Sequence, residues 1–301
     1  MIKANILFDK TGSGSSEILE VLGINDADID INHIWQQLRA STKKIIKIIG
    51  STNYDIAVQL YNNGDLEDEY LSIIRYAIAL DAFRNYAPLT DLAFTTQGRS
   101  FRNDEHNRVP WEWQIDKSDA AMEKSYYAIV NEIIQYIVED EELEQSDYML
   151  QFSGLFVPDI FEFQKYVHIN DSYLLYFMLA PSMMLFEHKE ILTRVGSKLE
   201  ELKKNQDSYI FRLIQNSSVL FAMKDGLKKF SIQLFPQGTM KAGKSDKRSA
   251  TGYDIESTVN YYDSELKSLL LLIENEIKKS KGIVVERRKI NFDSTDGFVT
   301  M

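Results

Sequence analysis

The chain has 301 residues, 44% of them apolar and 26% charged, a composition that builds a buried core and suits two domains better than one. Its formal net charge of −11 argues against tight, general nucleic-acid binding, which needs a basic footprint. With no cysteine it can form neither a disulfide, nor a thiolate nucleophile, nor a Cys-based zinc or iron–sulfur site. Residues 1–12 carry charge inside their short apolar run and do not read as a signal peptide. No run approaches the ~20 apolar residues of a membrane helix.

In chain order, a short strand is predicted over residues 6–8. It leads into Asp9-Lys10-Thr11-Gly12, which is similar to the aspartyl-phosphate motif of P-type ATPases, with Ser13 where that motif has threonine. That chemistry needs a second acidic loop for magnesium and a transport apparatus, and neither follows in the sequence. Gly12-Ser13-Gly14-Ser15-Ser16 lacks the lysine that a phosphate-binding loop places after its glycines. It reads as a turn and an N-cap for a helix over residues 17–22. Asp26, Asp28 and Asp30 alternate like a calcium loop, but Ile31 and Gln37 stand where glycine and glutamate are required. These aspartates read instead as caps of the next helix.

That helix is predicted over residues 32–49, with Ile34, Leu38, Ile45 and Ile49 on one face and Gly50 closing it. A second spans 67–86, burying Tyr70, Ile74, Ala77 and Leu80, with Pro88 at its end. Leu92-Ala93-Phe94 alternates as a strand, Gln97-Gly98 makes a tight turn, and a polar loop leads to a long helix. The long helix carries Met122, Tyr126, Ile129, Val130, Ile133 and Ile137 on one stripe. The acidic run from Glu139 to Glu144 reads as a boundary.

Residues 73–137 align with 213–277 without a gap. Ile74 falls on Ile214, Leu80 on Leu220, Gln97-Gly98 on Gln237-Gly238, Arg108 on Arg248 and Ile133 on Ile273. Phe230, Ile232 and Leu234 repeat the strand pattern. The helix ending at Gly50 is matched by one ending at Gly196, with Ile45, Ile46 and Ile49 answering Ile191, Leu192 and Val195. The predicted fold is therefore mainly α: two tandem pseudo-repeated helix–β-hairpin–helix units, residues 1–145 and 146–301, with short strands at the termini.

The four histidines share no ligand spacing, so no metal or cofactor is expected and no catalytic group is assigned. Tyr126-Tyr127 and Tyr261-Tyr262 read as core or subunit-contact residues. Positive charge gathers after each turn: Arg99, Arg102 and Arg108 in the first unit, Lys241, Lys244, Lys247 and Arg248 in the second. These are candidate loops for an acidic partner or a passing phosphate backbone. Ile283, Val284 and Val285 form a candidate strand with no partner in its own unit, free to pair with residues 6–8 or with a neighbouring subunit.

Three motifs carry a wider resemblance: Arg84-Asn85-Tyr86-Ala87-Pro88-Leu89, the Gln97-Gly98 turn, and Pro110-Trp111-Glu112-Trp113. Through them most of residues 25–140, and more faintly 155–280, resembles a family from tailed phages and prophages of Bacteroides-type hosts, including crAss-like phages. The second unit departs from it with Thr251-Gly252-Tyr253, so a role specific to the tryptophans does not carry over. The resemblance implies a structural virion protein assembled in the host cytoplasm, a head-to-tail connector or adaptor. Such proteins form a ring, commonly twelvefold, beneath the portal. The partners implied are the chain itself, the portal or a neighbouring tail ring, and DNA that slides past without tight binding, with no membrane. An intracellular helical scaffold or regulator, and an enzyme using Asp9, are the alternatives.

Overall fold

Helices carry most of the chain in the computed structural model, which describes residues 5–24, 29–90, 92–95, 98–101, 111–230, 232–235, 238–241 and 252–280. α1 (Gly14–Leu22) is followed by α2 (Ile31–Ile49), whose cap Asp30 accepts from the Asn32 amide at 2.9 Å. α2 buries Ile31, Ile34, Leu38, Ile45, Ile46 and Ile49 at helical spacing and leaves a polar outer face. It stops at Gly50, whose φ of 87° and ψ of 161° are open only to glycine. The chain turns there into α3 (Ser51–Asn63), a helix the sequence pattern did not reveal.

α4 (Glu69–Thr90) is the central helix of the first half. From Tyr70 to Ala82 nearly every residue is buried, because α1, α2, α3 and α5 (Glu112–Glu139) all pack on it. The expected helix over residues 67–86 had a single buried stripe and ended before Pro88. α4 runs on to Thr90, since a proline two residues from a helix end forfeits only one late hydrogen bond. The Thr90 hydroxyl donates to the Ala87 carbonyl at 2.8 Å in that last turn. Between α4 and α5, β1 (Leu92–Thr95) pairs antiparallel with β2 (Gly98–Phe101).

The second half opens with short helices α6 (Asp147–Leu150) and α7 (Ile160–Gln164), then α8 (Tyr173–Phe186). α8 runs through a π-helical turn, Glu187–Ile191, into α9 (Leu192–Val195). α10 (Leu199–Lys204) precedes α11 (Tyr209–Phe230), on which α8 and α12 pack. β3 (Ile232–Phe235) and β4 (Gly238–Lys241) form a second antiparallel ladder, and α12 (Gly252–Ser280) ends the described chain.

The N-terminal strand expected over residues 6–8 is absent. The segment is an irregular loop whose Leu7 and Phe8 side chains are buried. Side chains, not a neighbouring strand, take its backbone: the Tyr54 hydroxyl donates to Asn5 O at 2.6 Å and Arg75 Nε donates to Leu7 O at 3.2 Å.

The acidic segment after α5 is tied down. Asn53 donates to Glu144 O at 2.6 Å and accepts from the Glu144 amide at 3.2 Å, and Ser146 donates to Ile48 O at 2.7 Å. One apolar cluster runs across residue 145, joining Ile34, Ile74 and Ile133 to Met149, Phe163, Tyr176 and Val219. A second cluster, around Phe186, Ile214, Leu266 and Ile273, fills the far end.

Candidate partner-facing surfaces

Both hairpins grow from the ends of the central helices. α4 ends at Thr90 and β1 begins at Leu92; α11 ends at Phe230 and β3 begins at Ile232. The registers correspond, Leu92 opposite Phe101 in one and Ile232 opposite Lys241 in the other. The ladders are separate two-stranded sheets, so among the described residues each keeps two unpaired edges. A lone two-stranded hairpin is marginal in water.

The helix that follows each hairpin in the chain opens with an exposed aromatic residue. Trp111 and Trp113 are 72% and 61% exposed at the start of α5, and Tyr253 is 79% exposed at the start of α12. Gln114 accepts from the Trp111 backbone amide at 3.0 Å, which fixes the helix start and leaves both indoles outside. Of the tyrosines read as core or contact residues, Tyr126 is buried beneath the Arg84 guanidinium, 4.8 Å from its ring centre, whereas Tyr127 and Tyr261 face solvent.

Polar brackets steady the helices that carry the hairpins. Arg84 lies 3.9 Å from Glu123. Their counterparts in the aligned second unit, Lys224 and Asp263, lie 2.9 Å apart. Hydrogen bonds from Lys267 and Lys224 hold the Asp263 carboxyl at about 2. Asp81 is buried and receives Ser41 at 2.6 Å, Lys44 at 2.7 Å and Arg84 at 3.0 Å. Burial alone would raise its pKa, but these donors outweigh it and hold the carboxyl below its ordinary value. In the second half Ser182 donates to Asp225 at 2.6 Å, tying α8 to α11 as Ser41 ties α2 to α4.

A second pair of brackets anchors the loop that begins each half. Arg75 reaches Leu7 O and pairs with Glu17 at 2.6 Å. Gln215, which the alignment sets opposite Arg75, donates to Phe156 O at 2.8 Å and to Glu162 at 3.2 Å. Tyr61 completes the first bracket through Glu17, and Tyr166 the second through Gln215. Neither Arg75 nor Gln215 stood out in the sequence. Arg75 carried a signal, a charge between Ile74 and Tyr76 in an apolar stretch of α4, whereas Gln215 is followed by Asn216, Ser217 and Ser218 and carried none.

The Asp9 segment has a local explanation. Its carboxylate accepts from the Thr11 amide at 3.0 Å and the Thr11 hydroxyl at 3.2 Å, and the amide bond is the main reason its pKa lies below the ordinary value. A side chain at Gly12 would collide with Asp9 Oδ2, and one at Gly14 with Asp9 O, so the glycines close this turn. Lys10 lies over the Trp35 ring at 5.2 Å.

Among the predicted site residues, Arg99 sits in β2 opposite Phe94, and Lys241 ends β4 opposite Ile232. The two are on separate sheets. Arg102, Arg108, Lys244, Lys247, Arg248, Ile283, Val284 and Val285 lie outside the described residues. No described helix is long and apolar enough to cross a membrane, and no group of three His, Asp or Glu side chains among the described residues is arranged to hold a metal. No protein family, curated protein or solved structure matches the chain.

Proposed function

We propose that the chain is a structural assembly subunit without catalytic function, a head-to-tail connector that forms a ring beneath a phage portal and resides in the virion. The observation that carries this reading is the pair of hairpins with free edges, set at the ends of α4 and α11, with exposed aromatic residues at the start of the helix that comes next in the chain after each. Free edges and exposed aromatic rings are surfaces that gain from a partner.

The reading includes a duplication of the whole helical unit. It is supported by helix bounds that coincide when the two units are aligned, Glu69–Thr90 with Tyr209–Phe230. It is supported further by the paired brackets of Arg84 with Lys224 and of Arg75 with Gln215. A doubled unit gives one subunit two similar reaching arms. Arg99 and Lys241 begin the basic clusters completed by Arg102, Arg108, Lys244, Lys247 and Arg248, on a chain whose net charge of −11 lets DNA pass without sticking.

Electron microscopy of the purified full chain, alone and with a portal ring, tests this. Rings or incorporation into particles are expected. Replacing Lys241, Lys244, Lys247 and Arg248 with serine should weaken docking, and the loss should shrink in high salt, where charges are screened over about 10 Å at 0.1 M. Monomers under every condition would overturn the proposal, and so would Asp9-dependent hydrolysis of a phosphate ester.

A further inference from the structure

Each half of the chain holds an extended segment the way a binding site holds a peptide. In the first half, residues 5–8 belong to no helix or ladder and make no backbone–backbone hydrogen bond among the described residues. Side chains of α3 and α4 grip their carbonyls instead: the Tyr54 hydroxyl donates to Asn5 O at 2.6 Å and Arg75 Nε donates to Leu7 O at 3.2 Å. Leu7 and Phe8 are 1% and 2% exposed. The Arg75 guanidinium lies over the Phe8 and Tyr61 rings, 4.9 Å and 5.3 Å from their centres.

The second half repeats the arrangement on the aligned Gln215. Gln215 donates to Phe156 O at 2.8 Å, the Tyr176 hydroxyl donates to Val157 O at 2.9 Å, and both gripped residues are buried. Leu7-Phe8 and Phe156-Val157 are each a pair of adjacent large apolar residues, and an aspartate follows within two residues. That aspartate accepts from an amide further along, Asp9 from Thr11 and Asp159 from Glu162. What is recognised is therefore backbone carbonyls and two apolar side chains, the means by which peptide sites gain affinity and specificity.

The two segments differ in how firmly they are held. Phe156 also donates its amide to Glu187 at 2.6 Å, and Lys203 donates to Gly154 O at 2.6 Å. Among the described residues nothing takes the amides of residues 6–8. The link from this segment to α1 is residues 10–13, all exposed, in a turn closed by the Asp9 carboxylate on Thr11. With that turn opened, residues 9–13 span about 17 Å.

We propose that the groove formed by Tyr54, Tyr61 and Arg75 is a binding site for an extended peptide with two adjacent apolar residues before an aspartate, and that on assembly it takes residues 5–9 of a second copy. This rests on the assembly reading above and names one of its contacts. The exchanged contact is the same as the internal one, so exchange costs little more than the opened turn. Each copy gives one segment and takes one, so the exchange runs from copy to copy until a ring closes.

A chain lacking residues 1–8 and a fluorescein-labelled peptide of residues 1–11 test the site. Anisotropy is expected to show one peptide bound per chain. Peptides carrying Leu7→Asp or Phe8→Asp should bind about tenfold more weakly, since either change removes a buried apolar side chain. If the shortened chain loses helical circular dichroism, the peptide should restore it. The hinge tests the exchange in the full chain. Deleting Thr11 and Gly12 keeps the segment from its own groove and should shift sedimentation from monomer towards larger species, whereas a glycine–serine insertion after Thr11 should shift it back.

A folded shortened chain that binds no peptide overturns the proposal. So does an unfolded one that the peptide does not restore, since the segment is then an inseparable part of the core. Rings that form unchanged with either hinge variant overturn the exchange and leave the assembly reading standing. A full chain that stays monomeric at every concentration, even with the shortened hinge, overturns both.

Discussion

Arg75 and Gln215 solve one problem with different chemistry. Each is buried in a central helix and must satisfy a loop carbonyl and a glutamate. Arg75 adds a charge pair with Glu17 that is itself largely shielded from solvent. Removing one partner from such a pair leaves the other uncompensated, so Arg75→Ala should cost about 3 kcal/mol. Arg75→Gln imports the solution of the other half and should cost only about 1 kcal/mol, the scale of one net hydrogen bond. Urea unfolding of both variants checks this, and equal losses would show that the bracket geometry is irrelevant.

Asp81 and Glu187 give a pH test with opposite signs. The folded Asp81 carboxyl titrates below its ordinary value, so its stabilisation is present above the unfolded value and is lost as pH falls through the folded one. Glu187 is raised, chiefly by burial, despite the Phe156 amide at 2.6 Å and Lys203 at 2.9 Å. Its contribution is therefore largest in acid and is lost as pH rises through the raised value. Asp81→Asn should flatten the acid arm of the stability profile, while Glu187→Gln should leave that arm in place and change stability at pH 7 by less than about 1 kcal/mol. A steep acid arm retained in Asp81→Asn would refute the assignment.

Among the elements, the elbow between α2 and α3 is the sharpest structural demand. Gly50 holds a backbone conformation that side chains rarely adopt, and an added Cβ would lie 3.3 Å from the Ser146 Cβ. Gly50→Ala should cost about 1–3 kcal/mol, measured by thermal unfolding. A loss no larger than for an exposed helix residue would show that the elbow relaxes.

α2 was legible because its apolar residues recur at helical spacing on one face. α3 was not: its buried residues are only Asn53, Tyr54 and Ala57, one polar and one too small to mark an apolar face. Asn53 is buried because the distant Glu144 backbone satisfies it, a contact that no local pattern encodes. The central helices were half legible. Their position was plain, but a helix covered on all sides has no stripe to read. Residues 6–8 alternate too little to distinguish a strand from a loop, and the side-chain donors that settle the matter, Tyr54 and Arg75, lie far along the chain. Of the candidate site, the free hairpin edges, the exposure of the aromatic residues and the brackets at Arg75 and Gln215 needed the structure; the basic clusters were visible in the order of residues along the sequence.

At the scale of the molecule, the question is whether the two units are independent. The sequence divides naturally after residue 145, yet the larger apolar cluster ignores that boundary. Met149, Phe152, Val157, Ile160, Phe163, Tyr176 and Phe177 from the second half pack with Ile34, Ile74 and Ile133 from the first. Burying side chains of this size contributes about 1.5–3 kcal/mol each, against a typical net stability of about 5–15 kcal/mol for a whole domain. A fragment of residues 1–145 lacks all seven, and the apolar surface they cover in the first half returns to water at a cost on the scale of that margin. It also loses the Asp171 and Leu174 partners of Asn131 and the Ser146 bond to Ile48. The full chain should accordingly unfold in one urea transition, and the 1–145 fragment should lack a cooperative transition and show weaker helical circular dichroism per residue. A fragment that unfolds sigmoidally, with a slope in proportion to its length, would mean that each unit carries its own core and that the shared cluster is only a docking seam.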